Sequence, residues 1–533
     1  MSAALPRILL TGASGFIGRH FISSTVDRCR LFCIARRSQT EVGVRAHENL
    51  KWVQVDIANR DRLLDLLGNL REFGGIDHVI HLAGYYDFDN VENLEYSRTN
   101  VIGTKNVLLL ARLLDVRQFI FAGSLAACDF PAEGTAITEA SPPTAEFPYA
   151  RSKARAEQLV AEYAQYFHCV IVRLAAVFSD WCEYPPLYLF LQTWLSGRWN
   201  ARILGGRGES ALTFIHVNDV IGIFLRIIER NDTAPALATY LASPSGATTH
   251  RRLFHLAMRY FFGQGSSPIC VPKYLAAPGI LVRQIFGALI RRPPYERIWM
   301  LKYIDRQLTV DAGQTNRLLD WQTTPRLSIE RRLLYLIENL KSHHDIWYLR
   351  NEISRQRVTQ RPGFLIYETL VETRDKLCAE ILAVLTDPGH RARFLHYQQL
   401  EPGILKWYVS LIFQLLVTAV RIGNRNLLLE YGRLLADQRL AAGFTPGEVE
   451  DALKSTARIL EEYLRTRPEL RGLETWIHDY VTLNFQLIID EVQDSGERRD
   501  EHAETAADSG FSDELPLTAA DFQQLVRQLE ELS

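Results

Sequence analysis

Cysteine is scarce and unpatterned in this chain. Seven of its 533 residues are cysteine (Cys29, Cys33, Cys128, Cys169, Cys182, Cys270 and Cys378), with no C-x-x-C pair and no histidine cluster nearby. That spacing excludes a disulfide framework and a zinc site, and reads as reduced cytosolic thiols. An excess of charge of one sign is also missing. The formal net charge is -2, so no overall field favours nucleic acid or an acidic membrane. No uninterrupted apolar run reaches the ~18 residues expected of a spanning helix. The opening MSAALPRILLTGASGFIG meets glycines before the apolar region and cleavage site of a signal peptide can form. No repeat of solenoid period is found. The expectation is a cytoplasmic protein handling a small molecule, without nucleic acid and without a metal.

What is present is ordinary globular composition, 47% hydrophobic and 23% charged, in a chain too long for one core. Short apolar runs at Arg7 to Leu10, Leu31 to Ile34, Trp52 to Val55, His78 to Leu82 and Phe119 to Phe121 alternate with amphipathic stretches such as Arg60 to Leu70 and Gly103 to Leu114. The alternation predicts an α/β domain with a parallel sheet, helices on both faces, and ligands at the carboxyl ends of the strands. The texture changes after Asn351. Long periodic segments (Phe364 to Leu385, Ile404 to Arg421, Asn426 to Ala442, Pro446 to Arg465, Leu473 to Val492) punctuated by Gly, Pro and Asn predict an all-α helical bundle. The boundaries read as an α/β domain with a small substrate lobe over 1–345, a linker over 346–362 and the bundle over 363–492. An acidic disordered linker over 493–516 and an amphipathic helix over 517–533 follow. The stretch 269–292, ICVPKYLAAPGILVRQIFGALI with Arg291 and Arg292 after it, is expected to pack on the lobe. Its alternative is peripheral membrane contact, making the protein membrane-associated.

Thr11-Gly12-Ala13-Ser14-Gly15-Phe16-Ile17-Gly18 follows the first strand and opens a helix. Gly12 permits a tight turn, Gly15 lets backbone approach a pyrophosphate, and Gly18 lets helix and strand pack closely. Amide groups at the helix start then face phosphates. At the end of the second strand, Ile34-Ala35-Arg36-Arg37-Ser38 holds no carboxylate to bind ribose hydroxyls. Two guanidinium groups and a hydroxyl suit a 2′-phosphate, so NADP is expected, with NAD the second choice. Tyr149 and Lys153 stand four apart on one helix face, where the ammonium stabilises a phenolate that would otherwise form only near pH ~10.

The glycine spacing resembles that of the extended short-chain dehydrogenases, the epimerase/dehydratase-like branch. Further matches follow in order: Val55-Asp56-Ile57, His81-Leu82-Ala83-Gly84, Thr99-Asn100-Val101-Ile102-Gly103-Thr104 and Phe214-Ile215-His216-Val217-Asn218-Asp219-Val220. The resemblance covers about residues 5 to 341 and implies a Rossmann-type doubly wound sheet. It also implies that Asp56 and Ile57 contact the adenine, that Leu82, Ala83, Gly84 and Asn100 line the cofactor, and that Lys153 holds the nicotinamide ribose. Ser124, ending Phe119-Ile120-Phe121-Ala122-Gly123-Ser124, matches the family hydroxyl that orients the substrate oxygen while Tyr149 exchanges its proton. A homodimer through two helices of the domain is implied as well.

Three reactions fit such a family. Dehydratases place an Asp-Glu pair after the catalytic hydroxyl, whereas Leu125-Ala126 stand here. Epimerases commonly carry an Arg before the late signature, where this chain has Leu212, with Arg202 and Arg207 as substitutes. Aromatic residues around the site (Tyr85, Tyr86, Phe88, Trp181, Tyr184, Tyr188, Phe190, Trp194, Trp199) suit a ring or lipid-like substrate. The expected function is an NADP-dependent carbonyl reductase or alcohol dehydrogenase acting through Ser124, Tyr149 and Lys153. The alternatives are a nucleotide-sugar epimerase and an NADP-sensing regulator. The run Leu427 to Leu464 resembles the N-terminal helical sensor bundle of bacterial stressosome regulators, which implies docking of a protein partner. A structural or dimerising bundle is the other expectation.

Overall fold

The computed structural model describes residues 5–87, 90–198, 200–230, 235–275, 277–278, 280–281, 298–355, 362–422, 425–506 and 525–526. Contacts divide the chain into two compact units, Met1–Thr359 and Gln360–Ser533.

In the first unit the short apolar runs form β1 (Arg7–Thr11), β2 (Arg30–Ala35), β3 (Leu50–Gln54), β4 (His78–His81), β5 (Gln118–Ser124), β6 (His168–Leu174) and β7 (Leu237–Ala242). They pair in parallel in the order β7-β6-β5-β4-β1-β2-β3, the doubly wound arrangement that the alternating pattern predicts. Both faces of a parallel sheet are covered, so successive residues serve different cores. Ile8, Leu10, Leu31, Ile80, Ile120 and Val170 enter one cluster, and Leu9, Phe32, Ile34, Val79, Phe119 and Ile171 the other. The chain reverses its direction of travel across the sheet between β1 and β4, and the crevice for a ligand opens there.

The helices that carry the site are α1 (Phe16–Thr25), α2 (Thr104–Leu113), α3 (Pro148–Tyr163), α4 (Pro185–Trp194), α5 (Val217–Glu229), α6 (Ile329–Ser342) and α7 (His344–Arg355). Residues Tyr96–Gly103, ahead of α2, form a π-helical turn. Helix α7 occupies most of the span read as a linker. It forms because Trp347 and Asn351, 2% and 1% exposed, are buried against the substrate lobe, a tertiary gain that local composition hides.

The second unit contains α8 (Pro362–Glu372), α9 (Arg374–Thr386), α10 (Pro402–Ile422), α11 (Asn426–Ala441), α12 (Pro446–Arg465) and α13 (Leu483–Ala506) around one apolar cluster. Thr445 caps α12 by accepting from the Glu448 amide, with Pro446 in the first turn. Helix α13 continues to Ala506, through the first part of the segment read as an acidic disordered linker, because its inner face reaches the core through Ile488, Ile489 and Val492. The rest of that segment and most of 517–533 lie outside the described residues, although Leu525 is buried in the bundle core. Among the described helices α10 alone is long and apolar enough to cross a membrane, and 61% of its most apolar stretch is buried in the unit. Phe88, Trp199 and 282–292 of the membrane-contact stretch lie outside the described residues.

Candidate active site

The turn after β1 carries the strongest local constraints. Gly12 has φ +70°, and a Cβ there would stand 2.6 Å from the Ala83 amide nitrogen, so β1 and the end of β4 approach each other only through glycine. A Cβ on Gly18 would lie 2.4 Å from the Gly12 carbonyl oxygen. Gly15 caps α1 without a side-chain hydrogen bond, and the first turn holds no acidic residue. No acidic side chain of the first turn competes for the orphan amide groups of α1, and the cradle fits the pyrophosphate of a nicotinamide dinucleotide. Phe16 and Ile17 are half-buried on the helix above it.

Arg37 shapes the cradle from the side. Its Nη2 donates to the Ser14 carbonyl at 2.6 Å and its Nε to the Ser14 hydroxyl at 3.3 Å. Arg36 turns the other way, 3.4 Å from Glu95 and 4.0 Å from Asp56. Asp56, 2% exposed, also pairs with Arg98 at 2.8 Å and accepts from the Ala58 amide at 2.9 Å. Ser38 is buried, and Ile57 is pressed against Gly103, whose Cβ would stand 2.6 Å from it. Glu95 and Arg98 escaped sequence reasoning because they meet Arg36 and Asp56 only through the π-helical turn, which no short motif announces.

Below the cradle, His81 is clamped between Thr11 (2.6 Å) and Thr104 (3.0 Å), and burial holds its pKa down at about 3. A neutral imidazole thus ties β1, β4 and α2 together. Leu82, Ala83 and Gly84 follow it, and a Cβ on Gly84 would lie 3.5 Å from Asn100 Oδ1 and 3.8 Å from Lys153 Nζ. Asn100 accepts from the Tyr85 amide at 2.6 Å and donates to the Tyr85 carbonyl and Ser152 hydroxyl, each at 2.9 Å. Ser152 in turn donates to the Tyr149 carbonyl at 2.7 Å. Both atoms of the Asn100 amide are thus engaged within the protein, bracing the β4 end against the helix that bears Tyr149.

Ser124 ends β5, and α3 starts at Pro148, preorganised for a first turn. The two elements bring the three expected catalytic side chains together. The Ser124 hydroxyl hydrogen-bonds the Tyr149 phenol and pulls its pKa down, against burial, which pushes it up to about 12. Lys153, 6% exposed, donates to the Ala122 carbonyl at 2.6 Å and lies 4.4 Å from the Phe121 ring centroid. Burial lowers its pKa to about 8, and the Glu157 carboxylate opposes the fall. The Tyr86 ring packs 4.4 Å from that of Tyr149, with Phe147 and Tyr96 at 6.3 and 6.4 Å. Such a group can exchange a proton with a hydroxyl or carbonyl oxygen beside an aromatic wall.

Arg202 and Arg207, the substitutes for the missing arginine at Leu212, are directed elsewhere. Arg202 donates to the Ser267 carbonyl at 2.8 Å, and Arg207 lies exposed near Asp305 at 3.8 Å. Among the described residues no three His, Cys, Asp or Glu side chains gather as a metal site.

Residues 8–241 match the model of the NAD dependent epimerase/dehydratase family. Similar curated proteins include the dTDP-D-glucose 4,6-dehydratase of Homo sapiens, 28% identical over 42% of this chain and 66% of that protein. Another is the putative UDP-glucose 4-epimerase of Methanocaldococcus jannaschii, 28% identical over 40% of this chain and 70% of that protein. The chain spans 66%, 65% and 56% of the lengths of the first three curated relatives. Among solved structures, dTDP-glucose 4,6-dehydratase from Bacillus anthracis in complex with NAD superposes with TM-score 0.50 at 17% identity, over 65% of this chain and 99% of that one. UDP-glucose 4-epimerase from Thermotoga maritima with UDP-glucose gives TM-score 0.50 at 19% identity, over 63% and 99%. At such identities the structural likeness concerns the fold.

Proposed function

We propose, from the NAD-dependent epimerase/dehydratase domain at residues 8–241, that this protein is a nucleotide-sugar epimerase using a bound nicotinamide dinucleotide. The observation that carries the reading is the convergence of Ser124, Tyr149 and Lys153 beside the Gly12–Gly18 cradle. When bound, the dinucleotide supplies reversible hydride exchange. Tyr149 takes the proton of a sugar hydroxyl and returns it, Ser124 hydrogen-bonds the same oxygen, and the Lys153 charge favours the phenolate. The Tyr86 and Phe147 rings pack beside that of Tyr149, at 4.4 and 6.3 Å.

The expectation of carbonyl reduction on a lipid-like substrate gives way here, because the relatives carry names of enzymes of dTDP-glucose and UDP-sugars. Dehydration is disfavoured although several relatives are named dehydratases. Leu125, 1% exposed, and Ala126 form a 3-10 turn directly after Ser124, and that turn holds no carboxylate to remove a ring proton. For the cofactor, Arg37 and Ser38 support NADP, while Glu95 and Asp56 beside Arg36 weaken its share of the charge. The test is to incubate the intact chain with NAD or NADP and UDP- or dTDP-hexoses and analyse products by NMR. An epimer is expected. A 4-keto-6-deoxy sugar, or a stoichiometric change in NAD(P)H, contradicts the reading.

A further inference from the structure

The substrate lobe carries two short parallel strands, Ile203–Gly205 and Ile269–Val271, with Ile269 beside Ile203 and Val271 beside Gly205. The Gly206 amide donates to the Val271 carbonyl at 2.7 Å, and a Cβ on Gly205 would stand 3.3 Å from the Ile304 side chain. These contacts fix where the chain leaves the second strand. It turns at Pro272, whose carbonyl accepts from the Leu275 amide at 2.9 Å, and residues 273–275, 277–278 and 280–281 are helical.

A helix facing water turns its polar side outward. Here the pattern is reversed. Tyr274, Pro278 and Leu281, spaced i, i+4 and i+7, are exposed together with Leu275, while Ala277 and Ile280 are half-buried. Tyr274 is 72% and Leu275 62% exposed, and Ile269 before them and Ile298 after them in the chain are exposed as well. A concentration of large apolar side chains in water marks a contact surface.

The charge around this face has one sign. From Ile269 to Tyr295 the sequence holds no Asp or Glu, and its charged residues are Lys273, Arg283, Arg291 and Arg292. Lys273, next to Tyr274, is exposed, as are Arg202 and Arg207 beside the strand pair and Lys302 in the 3-10 turn Ile298–Tyr303. The Asp305 carboxylate accepts from the amides of Arg207 and Glu209 at 2.9 and 3.2 Å, and the Glu209 carboxylate faces Arg251 at 3.8 Å. Both acids are thus matched within the protein. Apolar side chains fringed by cations fit the boundary between acyl chains and anionic headgroups, where tyrosine is enriched. The formal charge of the whole chain, -2, does not oppose this, because such attraction acts within a Debye length of ~10 Å.

We propose that this face of the substrate lobe rests on an anionic lipid bilayer. Tyr274, Leu275 and Leu281 enter the headgroup boundary, and Lys273, Arg202 and Arg207 meet the lipid phosphates. Lipid contact goes beyond the epimerase reading and is independent of which sugar the active site takes.

The test is flotation of the intact chain with vesicles of phosphatidylcholine alone, or of phosphatidylcholine mixed with phosphatidylglycerol. Binding to the mixed vesicles only is expected. The double variant Tyr274→Asp/Leu275→Asp should lower the partition coefficient about ten-fold or more, and Lys273→Glu roughly ten-fold. Tyr274→Trp, which keeps an interfacial aromatic, should bind as the unmodified chain does. Leu318→Asp, at another exposed apolar position (52%) on the helix Gly313–Leu319, should leave binding unchanged. Both replaced side chains of the double variant are mostly exposed, so its melting temperature should stay. Failure to float with mixed vesicles, equal binding to both kinds, or binding that survives the double variant and Lys273→Glu overturns the proposal. So does a loss of self-association in the double variant without vesicle binding by the unmodified chain, which would assign the face to a second copy.

Discussion

Glu157 and Arg173 meet in a buried, two-pronged ion pair, Nε to Oε1 at 3.2 Å and Nη2 to Oε2 at 2.8 Å, one turn beyond Lys153 on α3. The carboxylate raises the pKa of both Tyr149 and Lys153, and the guanidinium beside it offsets that field. Activity that needs the Tyr149 phenolate rises with pH through the phenol's pKa. Glu157→Gln should therefore move the acid limb of the kcat profile to lower pH, and Arg173→Met should move it to higher pH. Arg173→Met should also cost about 3–5 kcal/mol of stability, because it leaves a buried carboxylate unpaired. A pH–rate profile and denaturant unfolding check both.

Ser124 acts on the same phenol in the opposite sense. Its hydrogen bond lowers the Tyr149 pKa, so Ser124→Ala should shift the acid limb upward as well as remove the bond to substrate oxygen. A loss of roughly 10²–10⁴ in kcat is expected for Tyr149→Phe, the usual worth of a positioned proton donor. Steady-state kinetics with dinucleotide binding measured in parallel separates this from loss of cofactor.

The glycine cradle gives a steric prediction. Gly18→Ala places a methyl 2.4 Å from the Gly12 carbonyl and 2.8 Å from Ala13, both backbone, so neither can yield cheaply. Dinucleotide affinity should fall at least ten-fold, about 1.4 kcal/mol, in a fluorescence titration. Gly68→Ala, at an exposed helical position where nothing lies within 4 Å, serves as the control, with NADH affinity unchanged.

Cofactor choice should follow the two arginines unequally. Arg37 borders the cradle through Ser14, whereas Arg36 faces Glu95 and Asp56. Arg37→Ala should lower the NADPH-to-NADH affinity ratio several-fold, and Arg36→Ala less. Equal effects, or an unmodified protein that prefers NADH, would remove Arg37 from the selectivity argument.

Acid stability should depend on the first strand. Asp77 takes three hydrogen bonds from Arg7, which hold its pKa at about 2, below the ordinary 3.8. A carboxylate with a depressed folded pKa contributes stability above about pH 4 that is lost as pH falls towards 2. Asp77→Asn should cost about 1–2 kcal/mol at neutral pH and flatten the stability profile between those limits. Urea unfolding at a series of pH values reads it.

The parts of the site legible in the sequence are those in which chemistry is set by local spacing. Gly12, Gly15 and Gly18 lie within seven residues, and Tyr149 and Lys153 are one helical turn apart, so a short window contains their geometry. The strands that lead to Thr11 and Ser124 are legible for the same reason, although their apolar runs stop at Leu10 and Phe121, short of the observed strand ends. What escaped depends on partners distant in the chain. Asn351 meets Glu183, and Arg98 meets Asp56, only after folding. Helix α7 reads as a linker because its stabilisation comes from burying Trp347 and Asn351 rather than from a long periodic stripe. Helix α13 likewise runs to Ala506 through acidic sequence, since an apolar inner face earlier in the helix suffices to start it.

The most direct measurement follows the hydride. UDP-glucose deuterated at C4 is incubated with the intact chain and its dinucleotide, and the product is examined by NMR while absorbance at 340 nm is recorded. The epimerase account predicts a C4 epimer that retains deuterium, with no net accumulation of reduced cofactor. Accumulation of reduced cofactor in proportion to a keto product, or an epimer whose deuterium has exchanged with solvent, would contradict it.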